Sequence, residues 1–168
     1  MSDLVLVTGA TGKVGRRLAA RLRMEGVGYR ASSRNSDPPF DWTNRDTWSA
    51  VLDGVSSIYL IAPPIISDPS ALMLDLIRLA LSKDVQRLVL QSAAPLPLGA
   101  PGLGQVHGWL SQHSTDWAVL RPNWMMQNFS EGPFATLSAT RTRYTPLREK
   151  AVLRSSAPTT WPHRLSRH

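Results

Sequence analysis

Residues 4 to 15 read Leu-Val-Leu-Val-Thr-Gly-Ala-Thr-Gly-Lys-Val-Gly, and this stretch decides the fold. The aliphatic, β-branched run up to Thr8 reads as a buried parallel strand, Leu4–Thr8. It gives way to Gly9, Gly12 and Gly15 at spacing G-x-x-G-x-x-G, then to an Arg/Leu/Ala-rich helix. A strand that turns sharply through glycines into a helix leaves unpaired N–H groups and the positive end of the helix dipole facing one point. In that context the glycines allow a tight turn, close approach to a pyrophosphate and contact between helix and strand, which predicts a dinucleotide site. Thr8, Gly9, Thr11, Gly12, Lys13, Val14 and Gly15 are its expected phosphate-side residues.

Outward from this motif, strand and helix signals alternate up to about residue 129. A helix is predicted over Lys13–Glu25, with Val14, Leu18 and Leu22 facing the sheet, and Val27–Ser32 as strand two. Phe40-Asp41-Trp42 is expected as a short third strand, and Thr43 as the cap of a helix over Arg45–Leu52. Ser57–Ile61 reads as strand four, and Asp68-Pro69 opens a helix carrying Leu72, Leu76 and Leu79. Val85–Gln91 is strand five, a helix runs near Gln105–Gln112, and Trp117–Leu120 is strand six. Strands separated by helices imply an α/β fold with a parallel sheet covered on both faces and right-handed crossovers.

The end of strand two selects the nucleotide. An acidic residue there would accept hydrogen bonds from ribose hydroxyls, whereas this chain reads Tyr29-Arg30-Ala31-Ser32-Ser33-Arg34-Asn35. Arg34, helped by Ser32 or Ser33, suits a 2′-phosphate, so NADP is expected, with NAD as the other option. By strand alternation Arg30 points elsewhere. Ala62 and Pro63 are expected to line the adenosine side, with Pro63-Pro64 stiffening the wall, and Ser92 to look into the nicotinamide region, either as a polar wall or in catalysis.

The chain has 168 residues and no cysteine, which fits one domain and excludes disulfide or thiolate chemistry. No apolar run is long enough to span a bilayer and no leader precedes the first strand, so a cytoplasmic protein without a membrane partner is expected. The formal charge is +7, but residues 1–130 hold 12 Lys/Arg against 10 Asp/Glu, a net of +2, and residues 131–168 hold 7 against 2, a net of +5. The basicity is therefore concentrated in the tail, which argues against a specific nucleic-acid partner. No metal-ligand cluster is apparent.

Thr8–Gly15, Ser32–Arg34, Phe40-Asp41-Trp42, Tyr59–Pro64, Arg87–Ala93 and the segment Leu120-Arg-Pro-Asn-Trp-Met-Met-Gln-Asn-Phe129 together resemble the NmrA-like branch of the atypical short-chain dehydrogenases/reductases. That branch holds NAD(P)H:quinone and azo-dye reductases, ergot-alkaloid-type reductases and redox-sensing regulators. The resemblance covers residues 1 to about 133 and implies a Rossmann-like, doubly wound fold and an NADPH-dependent oxidoreductase acting on a quinone-like or other small organic acceptor. The alternative is a non-catalytic NADP(H)-sensing module, and a homodimer is compatible with either. Asn123 and Asn128 are expected beside the substrate, and His107 is a candidate proton donor.

Two departures qualify the resemblance. Tyr29, Tyr59 and Tyr144 have no Lys four residues on, so the Tyr-x-x-x-Lys relay typical of the superfamily is missing. Residues 134–168 are a basic, Arg/Ser/Thr/Pro-rich tail without helical period, where the family continues into a substrate-binding portion. Back-translated with G/C-rich codons and read one base back, Arg141–His163 becomes Asp-Ala-Val-Tyr-Ala-Ala-Ala-Gly-Glu-Gly-Arg-Thr-Pro-Phe-Val-Ser-Ala-Asp-Asp-Leu-Ala-Ala, which resembles the missing family segment. The tail is therefore expected to be out of frame or disordered, with a divergent basic tail as the alternative.

Overall fold

A computed structural model describes residues 3–64 and 66–123. Five strands, β1 (Val5–Val7), β2 (Tyr29–Ala31), β3 (Ser57–Leu60), β4 (Arg87–Gln91) and β5 (Asp116–Leu120), form one parallel sheet in the order β2-β1-β3-β4-β5. Four α-helices join them: α1 (Lys13–Met24), α2 (Trp48–Leu52, preceded by a 3₁₀ turn over Arg45–Thr47), α3 (Ser70–Ser82) and α4 (Leu103–His113). The chain steps from β1 outward to β2 and then returns past β1 to β3. This reversal puts a topological switch point between β1 and β3, where ligands of such sheets bind.

The expected strand at Phe40–Trp42 does not form. The Phe40 N–H donates to the Ser33 carbonyl at 2.8 Å, and Asp41 makes only an isolated bridge to Asn44. The Asp41 carboxylate bends the chain, because its Oδ1 accepts from both the N–H and the hydroxyl of Thr43, each at 2.8 Å. A side chain that bonds its own backbone two residues on favours a turn over a ladder. Thr43 is therefore not a helix cap. Asn44 caps the 3₁₀ turn instead, accepting from the Asp46 N–H at 3.1 Å. The fold is the expected one with five strands instead of six.

Register assigns side chains to faces. Leu6, Ile58 and Leu88 pair across the sheet, as do Leu60 and Leu90, and all five are at most 1% exposed. They meet Trp48, Val51 and Leu52 of α2, Met73, Leu76, Ile77 and Ala80 of α3, and Val106 and Leu110 of α4 in one buried cluster. The opposite face receives α1, whose buried Gly15 and Ala19 bring the helix close to β1 and β2. Arg30 points to the α2 side, as alternation required, and donates to the carbonyls of Val51 (2.6 Å) and Asp53 (2.8 Å) at the end of that helix.

Candidate functional site

The turn after β1 is built by contacts that exclude side chains. Gly9 has φ +62°, a left-handed conformation in which its missing Cβ would stand 3.2 Å from Ile61. Gly15 is more tightly held, since a Cβ there would lie 2.3 Å from the Gly9 carbonyl oxygen. Below the turn, the buried Thr8 hydroxyl donates to the Tyr59 or the Ile61 carbonyl (3.2 Å each) and accepts the Ile61 N–H at 2.7 Å. It thus joins the ends of β1 and β3 and positions the turn from beneath. No side chain caps the N-terminus of α1, and its first turn carries no acidic residue. The helix end keeps its attraction for an anion.

Beside the turn lies a cavity of about 480 Å³, within the range usual for small-molecule sites. Gly9 and Thr11 form one side, and Ser32, Ser33, Arg34 and Asn35 extend from β2 along a second. Phe40, Asp41, Trp42 and Thr43 form a third wall, and Ala62, Pro63, Pro64 and Ile66 close the fourth.

Aromatic packing holds the third wall in place. The Trp42 ring meets Phe40 edge-on at 5.1 Å and Trp48 at 6.4 Å, and the Trp48 indole N–H donates to the Asp41 carbonyl at 2.9 Å. The loop between Ser33 and Phe40 is tied by Ser36, whose Oγ accepts the Ser33 N–H at 3.0 Å and donates to the Ser33 or Pro38 carbonyl, both at 2.8 Å. The two Thr43 donors hold the Asp41 carboxyl below its usual pKa, and the Arg34 guanidinium adds to that effect. Arg34 is exposed at the cavity rim, where a phosphate could reach it.

The expected residues divide accordingly. Gly9, Thr11, Ser33, Arg34, Ala62 and Pro63 line the cavity. Gly12, Lys13, Val14 and Gly15 form the turn and the start of α1 at its edge, and Thr8 lies beneath. Ser92 is buried at the end of β4, its N–H donating to Leu120, outside the cavity lining. The His107 ring packs 5.6 Å from that of Trp117 on the helix side of β5. Asn123 is exposed, and Asn128 lies outside the described residues. Pro64 lines the cavity beside Pro63, as expected of the wall, whereas sequence reading missed Asn35, Phe40–Thr43 and Ile66 as cavity residues. The available signal was an aromatic pair beside two prolines, Pro38 and Pro39, which favours a packed loop over a strand.

Among the described residues no group of acidic or histidine side chains could hold a metal ion, and no helix is long and apolar enough to cross a membrane. The combination of uncapped helix end, arginine and apolar walls instead suits an anionic ligand with a planar apolar part. Buried Ser32 supports this fit, because its hydroxyl has no partner at the cavity wall.

No protein-family model matches the chain. Among curated proteins it is 37% identical to festuclavine synthase II of Penicillium roqueforti, over 77% of this chain and 50% of that protein. It is 34% identical to an uncharacterized oxidoreductase of Bacillus subtilis, over 74% and 46%, and 32% identical to agroclavine dehydrogenase of Claviceps fusiformis, over 88% and 57%. The chain thus spans about half the length of the curated relatives it matches. Among solved structures, a Rossmann-fold NAD(P)-binding family protein from Shigella flexneri superposes with a TM-score of 0.61 at 16% identity, over 74% of this chain and 68% of that one. An NADPH-dependent quinone oxidoreductase from Escherichia coli, complexed with NADPH, gives 0.53 at 19% identity, over 81% and 53%. This chain is a Rossmann-fold α/β protein with homologues among the clavine-alkaloid reductases.

Proposed function

We propose that the chain binds NAD(P)H, with preference for NADPH, as the nucleotide half of an NmrA-like oxidoreductase that reduces a small organic acceptor. The observation that carries this reading is the single cavity running from the glycine turn to Arg34. The pyrophosphate would sit at the N-terminus of α1, adenosine between Ala62-Pro63 and the Phe40–Thr43 wall, and a 2′-phosphate against Arg34. When bound, the nicotinamide supplies a hydride. The chain's own residues orient the dinucleotide and exclude water from its apolar part. The relatives' names and the bound nucleotide of the superposed reductase support the reading. The acceptor, quinone-like or otherwise, would lie toward Ser92 and Asn123.

Titration with NADPH and NADH, followed by nicotinamide fluorescence, tests it. Arg34→Ala should weaken NADPH about 10- to 100-fold, the range expected for lost charged hydrogen bonds, and change NADH by less than about threefold. Failure of folded wild-type protein to bind either nucleotide would overturn the reading.

A second reading is a sensor that binds NADP(H) without turning it over. It is favoured by the surroundings of the candidate proton donor, since the His107 ring packs on Trp117. Nucleotide binding without consumption across a panel of quinones would select it. For residues 134–168 the proposal is an out-of-frame tail, and a coding sequence whose shifted frame lacks an open continuation would refute it.

A further inference from the structure

The two edges of the sheet are finished differently. β2 is three residues long with Arg30 at its centre, and a short, charged strand is a common way of blunting an edge. β5 is five residues long and contains no proline, glycine or lysine, and among the described residues no strand pairs with its outer side. The Leu120 carbonyl accepts the Ser92 N–H at 2.8 Å, so it points to β4. Backbone groups alternate along a strand, which turns the N–H and C=O of both Trp117 and Val119 outward. Ala118 between them is exposed, as is Leu120. The chain leaves β5 on the β4 side, away from the open edge. There Arg121 donates to the Ala94 carbonyl at 2.7 Å, and the Pro122 carbonyl accepts the Ala94 N–H at 3.0 Å.

We propose that the outer edge of β5 pairs antiparallel with β5 of a second copy of this chain, about a two-fold axis at Ala118. This proposal does not depend on the nucleotide assignment. A two-fold at Ala118 sets Trp117 opposite Val119 of the second copy, and the reverse, so the outward groups meet as hydrogen-bonded pairs. Ala118 then faces its own equivalent at the non-hydrogen-bonded spacing of about 4.5 Å between Cα atoms, where a small side chain fits. Both side-chain rows continue across the axis. On the helix side Leu90 and Val119 run on to Trp117 of the second copy, and on the other face Val89 and Ala118 meet their own equivalents. Trp117 is positioned in advance, its ring packed 5.6 Å from that of His107. Charge selects the direction. Asp116, bonded to Arg87 at 2.9 Å, opens the strand, and Arg121 follows its end. Antiparallel pairing brings Asp116 within one position of Arg121 of the second copy. Parallel pairing would align the two Asp116 carboxylates, and like charges opposite one another are unfavourable.

Sedimentation equilibrium of the full chain over a concentration series should show monomer and dimer in exchange. Ala118→Lys and Ala118→Glu each set like charges against one another at the axis, and each should weaken dimerisation by about tenfold or more. Mixed together, the two variants should regain it, because each lysine then faces a glutamate. The chain has no cysteine, so Ala118→Cys gives a second readout without a change of charge. Thiols at the axis fall within the roughly 4.4–6.8 Å Cα separation that a disulfide spans, so mild oxidation should link them. Ala20→Cys, exposed on α1, should stay unlinked. A wild-type chain that is monomeric at every concentration overturns the proposal, as does Ala118→Cys protein that does not link. A dimer that neither charged variant weakens also overturns it, by placing the contact elsewhere. A monomer whose Trp117 and Val119 amides resist hydrogen exchange overturns it in favour of an edge covered by further residues of the same chain.

Discussion

Among the described residues the two faces of the sheet differ both in how apolar their side chains are and in how far they are covered. On one face Leu6, Ile58, Leu60, Leu88 and Leu90 are sealed under α2, α3 and α4. On the other, α1 covers Val7 at 0% exposure, but beyond β1 the same row continues through Tyr59, Val89 and Ala118, of which the last is exposed. One step further along, Gln91 pairs with Leu120, which is 47% exposed. A parallel sheet needs cover on both faces. The complete face supplies the cohesion of the domain, and the short stretch of second face under α1 is the part that carries the glycine turn.

Adjacent residues of β4 offer the sharpest test of that difference, because they point to opposite faces. Leu90 is fully buried among the helices, and Leu90→Ala should cost about 2–5 kcal/mol through lost burial and a residual cavity. Val89, half-buried on the other face, should lose about 1 kcal/mol or less on change to alanine. Urea unfolding of both variants reads the contrast. Equal losses would mean that both faces are equally covered in solution.

The covered part of the second face depends on Gly15. A methyl group 2.3 Å from the Gly9 oxygen and 2.7 Å from the Ala10 Cα must push α1 and the turn apart, because the obstacles are backbone. Gly15→Ala should therefore destabilise the domain by about 1–3 kcal/mol and also abolish nucleotide binding. The joint loss is diagnostic. Retained affinity in the variant would show that α1 can move without disturbing the turn.

These features were legible to different degrees. The glycine turn and the α/β alternation could be read because both depend on neighbours in sequence: periodicity, punctuation and the residues that tolerate a left-handed backbone. The Phe40–Trp42 strand was misread because apolar-polar-apolar spacing looks extended, while Asp41 turns the chain by bonding to Thr43. The rest of the cavity wall depends on how loops meet in space. Nothing local separates Ser32 from Ser33, yet alternation buries one hydroxyl without a partner and gives the other a turn to hold. His107 was singled out because it falls near where the family's Tyr/Lys helix runs, whereas its helical phase sets it on Trp117.

The smallest expected effect lies on the uncovered stretch, at Leu120. With 47% of this residue exposed, Leu120→Thr surrenders only part of a leucine's burial. Threonine's β-branched shape suits a strand and offsets some of that loss. The net change in stability should be within about 0.5–1 kcal/mol. Solubility should rise, because an apolar side chain at the edge of a sheet invites association. Light scattering of concentrated protein and urea unfolding measure the two quantities side by side. A loss above about 2 kcal/mol would show Leu120 to be packed in solution, and the two faces would then differ less than their exposures indicate.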